Sequence, residues 1–137
     1  MDAMRKEMLR ILGYSGKAVD VLEAELHYGE IGNATLQAKH QAGCGDVLIL
    51  DLRIEDAVIR DAAFRFVGCS GIQASASAMT ELIIGMTVDE AEKLTMQDII
   101  AWLDGIPENK YECAEAAEKT LRTALAEYRQ THAESGD

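Results

Sequence analysis

From residue 46 to 54 apolar and polar residues alternate. Leu48, Leu50, Leu52 and Ile54 point one way, and Asp51 and Arg53 the other. A period of two is the mark of a strand with one buried face and one solvated face. Glu55-Asp56-Ala57 reads as a short turn, and residues 58–67 return as a second strand with Phe64 and Phe66 on one face. So tight a connection predicts an antiparallel hairpin. Residues 34–41 are predicted as a weaker third strand, after a loop containing His27-Tyr28-Gly29-Glu30 and Gly32-Asn33.

The rest of the chain has a helical period. A short helix is expected over residues 4–11. Ser15-Gly16 precedes a second, over 17–26, with Ala18, Val19, Leu22 and Leu26 on one stripe. The chain turns helical again at Ser70, with a helix rich in small residues over 74–84, stopped by Gly85. Thr87-Val88-Asp89-Glu90 opens a short helix with an N-cap and an acidic first turn. Another covers 95–103 and ends before Asp104-Gly105 and Pro107. The longest covers 112–129, with Cys113, Ala117, Leu121, Leu125 and Tyr128 on one stripe. The tail after Thr131 is expected to be loose. Hairpin first and most helices later predict an α+β domain: a small antiparallel sheet of about three strands, with helices on one face. Residues 1–137 are expected to form one such domain, with its core over about 14–130.

Charge narrows the function. There are 24 acidic against 13 basic residues, a net charge of −11, which opposes nucleic-acid binding. No apolar run reaches the length of a membrane span. The apolar stretch from Met8 to Leu12 is too short for a signal core. Three cysteines cannot all pair within the chain, so the expected setting is reducing and cytoplasmic.

Those cysteines carry the candidate chemistry. Cys44 lies in Gly43-Cys44-Gly45-Asp46, before the first long strand. Cys69 lies in Gly68-Cys69-Ser70-Gly71, after the second. Cys113 opens the last helix. The hairpin returns Cys69 to the end of the sheet that holds Cys44. If the last helix starts at that end, all three sulfurs converge. Cys69 and Cys113 sit at helix N-termini, where the dipole favours thiolate, the form that binds metal or accepts sulfur. Flanking glycines leave room for a bulky group. Asp46 would complete a tetrahedral Cys-Cys-Cys-Asp set for zinc, or ligate one iron of a small cluster. Against this, a lone cysteine at a helix start is more often inert. Separations of 25 and then 44 residues match no zinc-finger pattern. The residues alone leave both readings open.

Several of these residues carry a resemblance. Cys44-Gly45-Asp46, residues 59–64 leading into Gly68-Cys69, the run from Ala74 to Leu82 with Gly85, and Cys113 on an Ala-rich helix resemble the NifU/IscU-type scaffolds of iron–sulfur cluster assembly. Tyr14-Ser15-Gly16-Lys17-Ala18-Val19 and Gly29-Glu30-Ile31 resemble that family's N-terminal segment. The resemblance implies that Cys44, Cys69 and Cys113 hold a nascent [2Fe–2S] cluster, with Asp46 keeping it labile. Sulfur would come from a cysteine desulfurase, and the cluster would pass to iron–sulfur acceptor proteins. Zinc would be able to occupy the same ligands, and a homodimer is allowed for. The protein would be a carrier and not an enzyme. Two alternatives stand beside this one: a zinc-dependent sulfur acceptor for the desulfurase, and a metal-free interaction module.

The chain departs from the family's pattern in places. Glu112 stands where many members have a histidine before the last cysteine. Ile106-Pro107-Glu108-Asn109-Lys110 replaces the family's Leu-Pro-Pro-Val-Lys stretch. The Asn-Pro-Arg-Asn stretch expected before Gly29 is missing. So is the insertion between Cys69 and Cys113 typical of the zinc-dependent branch. Asp46 is preferred over Glu112 as the oxygen ligand, with Glu112 acting through its charge and Lys110 expected to offset that charge in part and to be able to face a partner. His27, His40 and His132 match no ligand position; His40 is close enough to Cys44 in sequence to approach the site, but a surface loop histidine is the preferred reading.

Overall fold

The structure, a computed structural model, describes residues 1–42 and 45–132. Its elements run α1 (Ala3–Ile11), α2 (Gly16–Ala24), β1 (Leu36–Gln41), β2 (Val47–Glu55), β3 (Val58–Val67), α3 (Ser70–Ile83), α4 (Val88–Ala91), α5 (Met96–Trp102) and α6 (Tyr111–His132). A 3-10 turn, Glu108–Lys110, leads into α6. The three strands form one antiparallel sheet in the order β1-β2-β3. The expected α+β architecture is therefore present. The hairpin falls where the alternation placed it, and the last helix continues through His132.

Leu48, Leu50, Leu52 and Ile54 are buried, as are Ala62 and Phe64 beside them on β3. α3 lies against β3 while α6 crosses β1 and β2, so both cover one face of the sheet. The small residues of α3, Ala74 through Ala78, are buried on every side of that helix, and Ala74, Ala76 and Ala78 share one core with Ala114, Ala117, Leu121 and Leu125 of α6. Small side chains let two helices approach closely over a narrow sheet. Ser77 donates to the Leu26 carbonyl at 2.8 Å, tying α3 to α2.

The other face of the sheet departs from the simple alternation. Asp51 is not solvated; it is 3% exposed. The chain entering β1 folds across it. The Ile31 amide donates to one carboxylate oxygen at 3.0 Å and the Gln37 side chain to the other at 2.9 Å. Arg65 on β3 stands 4.0 Å away. A buried carboxylate persists only when hydrogen-bonded and charge-paired, and both conditions are met.

The hairpin turn contains a local cost. Asp56 and Ala57 both adopt left-handed backbone, at φ 54° and 59°. A two-residue turn matching the twist of paired strands requires this at both positions, and glycine is the residue that adopts it freely. Ala57→Gly should stabilise the fold by about 1 kcal/mol, raising the melting temperature by a few degrees. Thermal unfolding of the two proteins would check it.

The helix starts are locally encoded. Ser15 caps α2, accepting from the Ala18 amide at 2.9 Å. Its hydroxyl also donates to the Leu103 carbonyl, and its amide to the Gly105 carbonyl at 3.3 Å. These bonds tie the N-terminal segment to the loop that leads into α6. Thr87 and Thr95 each form a capping box, with Glu90 and Asp98. No described helix is long and apolar enough to cross a membrane.

Candidate metal centre

The hairpin and the two long helices meet at one end of the sheet. Asp46 immediately precedes β2, Cys69 is the N-cap residue of α3, and Cys113 lies in the first turn of α6. One donor atom from each lies within 4.8 Å of the others. The Cys69 and Cys113 sulfurs are 3.7 Å apart, and the Cys69 thiol donates to Asp46 Oδ2 at 3.6 Å. Sequence reasoning expected these three together. Cys44 lies outside the described residues.

The sulfur–sulfur distance excludes a disulfide and admits a shared metal. A disulfide needs sulfurs about 2.05 Å apart. Two thiolates on one tetrahedral zinc, each at ~2.3 Å, stand about 3.8 Å apart. The observed 3.7 Å matches the edge of a metal tetrahedron. Two glycines make the close approach. A Cβ on Gly68 would stand 2.6 Å from the Asp46 carboxyl carbon, and one on Gly71 would stand 3.0 Å from the Cys113 sulfur. Asp46, Cys69 and Cys113 therefore fit a metal ion or an iron centre, with thiolates as soft ligands and the carboxylate as a hard one.

The expected thiolate character of Cys113 is not what the site produces. Cys113 is 4% exposed. Burial pushes its thiol up to about 12, with the charge of Cys69 next and that of Asp46 adding less. The helix start is outweighed because desolvation and two anionic neighbours oppose a further negative charge. Lys110 acts in the other direction. Its ammonium is held above the ordinary lysine value, first by the charge of Cys69 and also by a hydrogen bond to it. So Lys110 offsets the charge of the sulfurs, the first of the two roles expected of it. The signal was available: three residues before Cys113 is the neighbouring turn of the same helical segment.

Tyr14 is a neighbour that sequence reasoning did not place at the site. It is 4% exposed, and its hydroxyl is pushed up to about 12, by burial first and then by Cys69 and Cys113. An apolar residue directly before the Ser15 cap is expected to pack inward, which was the available clue. Glu112 is exposed and does not belong to the converging trio; it lines the adjacent cavity.

Alkaline behaviour follows from these shifts. Cys113 and Tyr14 hold their protons more tightly in the folded protein than their ordinary values of 9.0 and 10.0. Their contribution to stability is intact below about pH 9 and is lost as pH climbs toward 12. The metal-free protein should show a falling melting temperature across that window. A flat profile would contradict the assignment.

This small α+β fold gathers two thiols and a carboxylate at one end of its sheet, a donor set that can hold a metal or metal–sulfur centre. The NifU-like N terminal domain family matches residues 13–135, and the chain belongs to that family. It is 44% identical over 90 residues to the iron–sulfur cluster assembly protein IscU of Plasmodium falciparum, covering 66% of this chain and 55% of that protein. To the iron–sulfur cluster assembly scaffold protein IscU of Buchnera aphidicola it is 31% identical over 123 residues, covering 86% of this chain and 96% of the other. The chain thus spans about half of the Plasmodium protein. It spans about a third of the nitrogen fixation protein NifU of a Nostoc species. Among solved structures, a protein assigned as a cluster assembly scaffold for the SUF system of Fervidobacterium islandicum superimposes with a TM-score of 0.69. It has 28% identity and covers 85% of this chain and 98% of its own.

Proposed function

We propose that this chain is a scaffold on which an iron–sulfur cluster is assembled and from which it is handed on. The observation that carries the proposal is the trio Asp46, Cys69 and Cys113, with sulfurs spaced as on one metal tetrahedron, in a chain of the NifU-like family. Cys44, Asp46, Cys69 and Cys113 are the proposed ligands. The cargo is a [2Fe–2S] cluster, and zinc can take the same donors. Sulfur would come from a cysteine desulfurase and iron separately, with acceptor proteins receiving the product. The chain acts as a carrier, and none of its residues is assigned a catalytic role.

What the residues contribute is selective holding. Cys69 and Cys113 offer soft sulfur to iron or zinc, and Lys110 offsets the anionic charge that gathers with them. Tyr14 is buried close enough to Cys69 and Cys113 for their charge to hold its proton on. Asp46 supplies the weaker, harder bond, so the cargo leaves most easily from its side.

The spacing of the trio also suits a single zinc ion, which supports the sulfur-acceptor reading as the second choice. Anaerobic isolation followed by iron, sulfide and zinc analysis separates the two. Two irons and two sulfides, transferable to an apo-ferredoxin, support the scaffold. Stoichiometric zinc without sulfide, and with no cluster formed on reconstitution, would sink it. Within the scaffold reading, Asp46→Ala should slow cluster transfer by about tenfold while assembly falls far less, since only the exchangeable ligand is lost. Equal transfer rates for variant and parent would count against Asp46.

A further inference from the structure

Beside the trio lies a cavity of about 180 Å³ between β1 and the start of α6. Asp46 and Cys113 form part of its wall, and His40, Glu112, Glu115 and Lys119 line the rest. Its formal charge is negative: three carboxylates against one ammonium, with Glu115 and Lys119 paired at 3.3 Å. Such a lining attracts a divalent cation.

His40 is not a surface loop histidine. It lies in β1, opposite Leu48 of β2. Ala38, two residues earlier and on the same face, is buried beneath α6, whereas Gln37, Lys39 and Gln41 on the opposite face are exposed. The side chain of His40 therefore stands on the covered side of the sheet, where the cavity opens. His27 is committed to Glu81 at 2.7 Å, and His132 to the Tyr128 carbonyl at 2.9 Å. Among the described residues, nothing hydrogen-bonds or ion-pairs with the imidazole of His40. A half-buried imidazole with no partner among the described residues stands across a small anionic cavity from a carboxylate and a thiol; it lies outside the 4.8 Å span of the trio and reaches a shared metal only by turning its side chain into the cavity.

We propose that His40 is a further metal ligand of this site, an imidazole that exchanges with the Asp46 carboxylate on the bound metal. The inference rests on the metal-binding reading of Asp46, Cys69 and Cys113. Imidazole nitrogen suits both zinc and iron, and it is a softer donor than carboxylate. With one oxygen donor and one nitrogen donor sharing a coordination position, the metal keeps its coordination number when either lets go, while its net charge rises by one when the neutral imidazole replaces the carboxylate. Glu112, beside Cys113, stays at the cavity rim.

The test is zinc binding and X-ray absorption on four proteins: the parent, Asp46→Ala, His40→Gln and the double variant. Asp46→Ala should lose zinc affinity by no more than about tenfold and show imidazole outer-shell scattering stronger than the parent's. The double variant should lose that scattering and a further tenfold or more, a larger step than His40→Gln causes alone. In the reduced cluster form of Asp46→Ala, pulsed EPR should detect nitrogen coupling that His40→Gln abolishes and His27→Ala leaves in place. Zinc held by sulfur in Asp46→Ala with no imidazole shell would overturn the role of His40 and leave the metal site standing. No zinc retained by the parent would overturn both.

Discussion

Replacing Cys113 by alanine should weaken zinc binding by at least about a hundredfold and, at the same time, make the metal-free protein more resistant to alkali. The first effect follows from the share one ligand carries. Structural zinc sites are worth about 10–16 kcal/mol, so one of four ligands accounts for roughly 3 kcal/mol, a hundredfold or more in affinity. The second follows from burial. Without metal, the Cys113 thiol is held neutral, pushed up to about 12 by desolvation and the charges of Cys69 and Asp46. Folding then favours the protonated side chain, and that preference is lost as pH rises from about 9 toward 12. Alanine has no proton to give up, so its melting temperature should fall less steeply above pH 9. Competition titration against a chromophoric zinc chelator and a melting series across pH would measure both. A variant with near-parental zinc affinity would remove Cys113 from the site. One whose alkaline profile overlays the parent's would show that burial of this thiol does not govern stability.

Gly68→Ala should lower zinc affinity by about tenfold and, because Gly68 has a φ of 157° that L side chains rarely adopt, also lower the melting temperature. The affinity loss, unlike the stability loss, should vanish in an Asp46→Ala background. A methyl group there would stand 2.6 Å from the carboxyl carbon of Asp46 and under 3 Å from both of its oxygens, closer than real contacts allow. The short Asp46 side chain has few ways to yield. The move left to it is to swing about its first dihedral, carrying the carboxylate away from Cys69, whose thiol it now accepts at 3.6 Å. Gly68 thus keeps space for a ligand it does not itself provide. Non-additivity is the diagnostic result: two changes acting through one carboxylate cannot each exact their full cost. Independent, additive losses would mean that alanine disturbs the strand end and not the carboxylate. Melting curves on the same samples would show whether the fold is intact.

Both predictions concern a site that residue types alone left undecided. Three cysteines and an aspartate, spread over residues 44–113, match no metal-binding spacing, because the spacing is created by the fold. The convergence of Asp46, Cys69 and Cys113 needs the hairpin to close and α6 to start at the same end of the sheet as α3. The hairpin was readable from local alternation, but the placement of α6 depends on which face it buries and against what.

The sequence by itself determined the local structure. Alternation over β2 and β3 set which residues enter the core, because a pleated strand must send alternate side chains to opposite faces. Ser15, Thr87 and Thr95 set three helix starts through their own hydrogen bonds, which need no distant partner. The small residues of α3 and α6 set how closely two helices could share one sheet face. The tertiary structure decided what no local pattern encodes. Asp51 is buried because the chain around Ile31 crosses it and Gln37 and Arg65 satisfy it. Cys113 keeps its proton because Cys69, Asp46 and the core surround it, against the pull of its own helix start. Lys110 turns to the sulfurs, and His40 faces the cavity through its place in β1. In each case a charged or titratable group takes its character from segments distant in the chain. Electrostatic energy depends on separation in space and on exclusion of water, and both come into being only when the chain has folded.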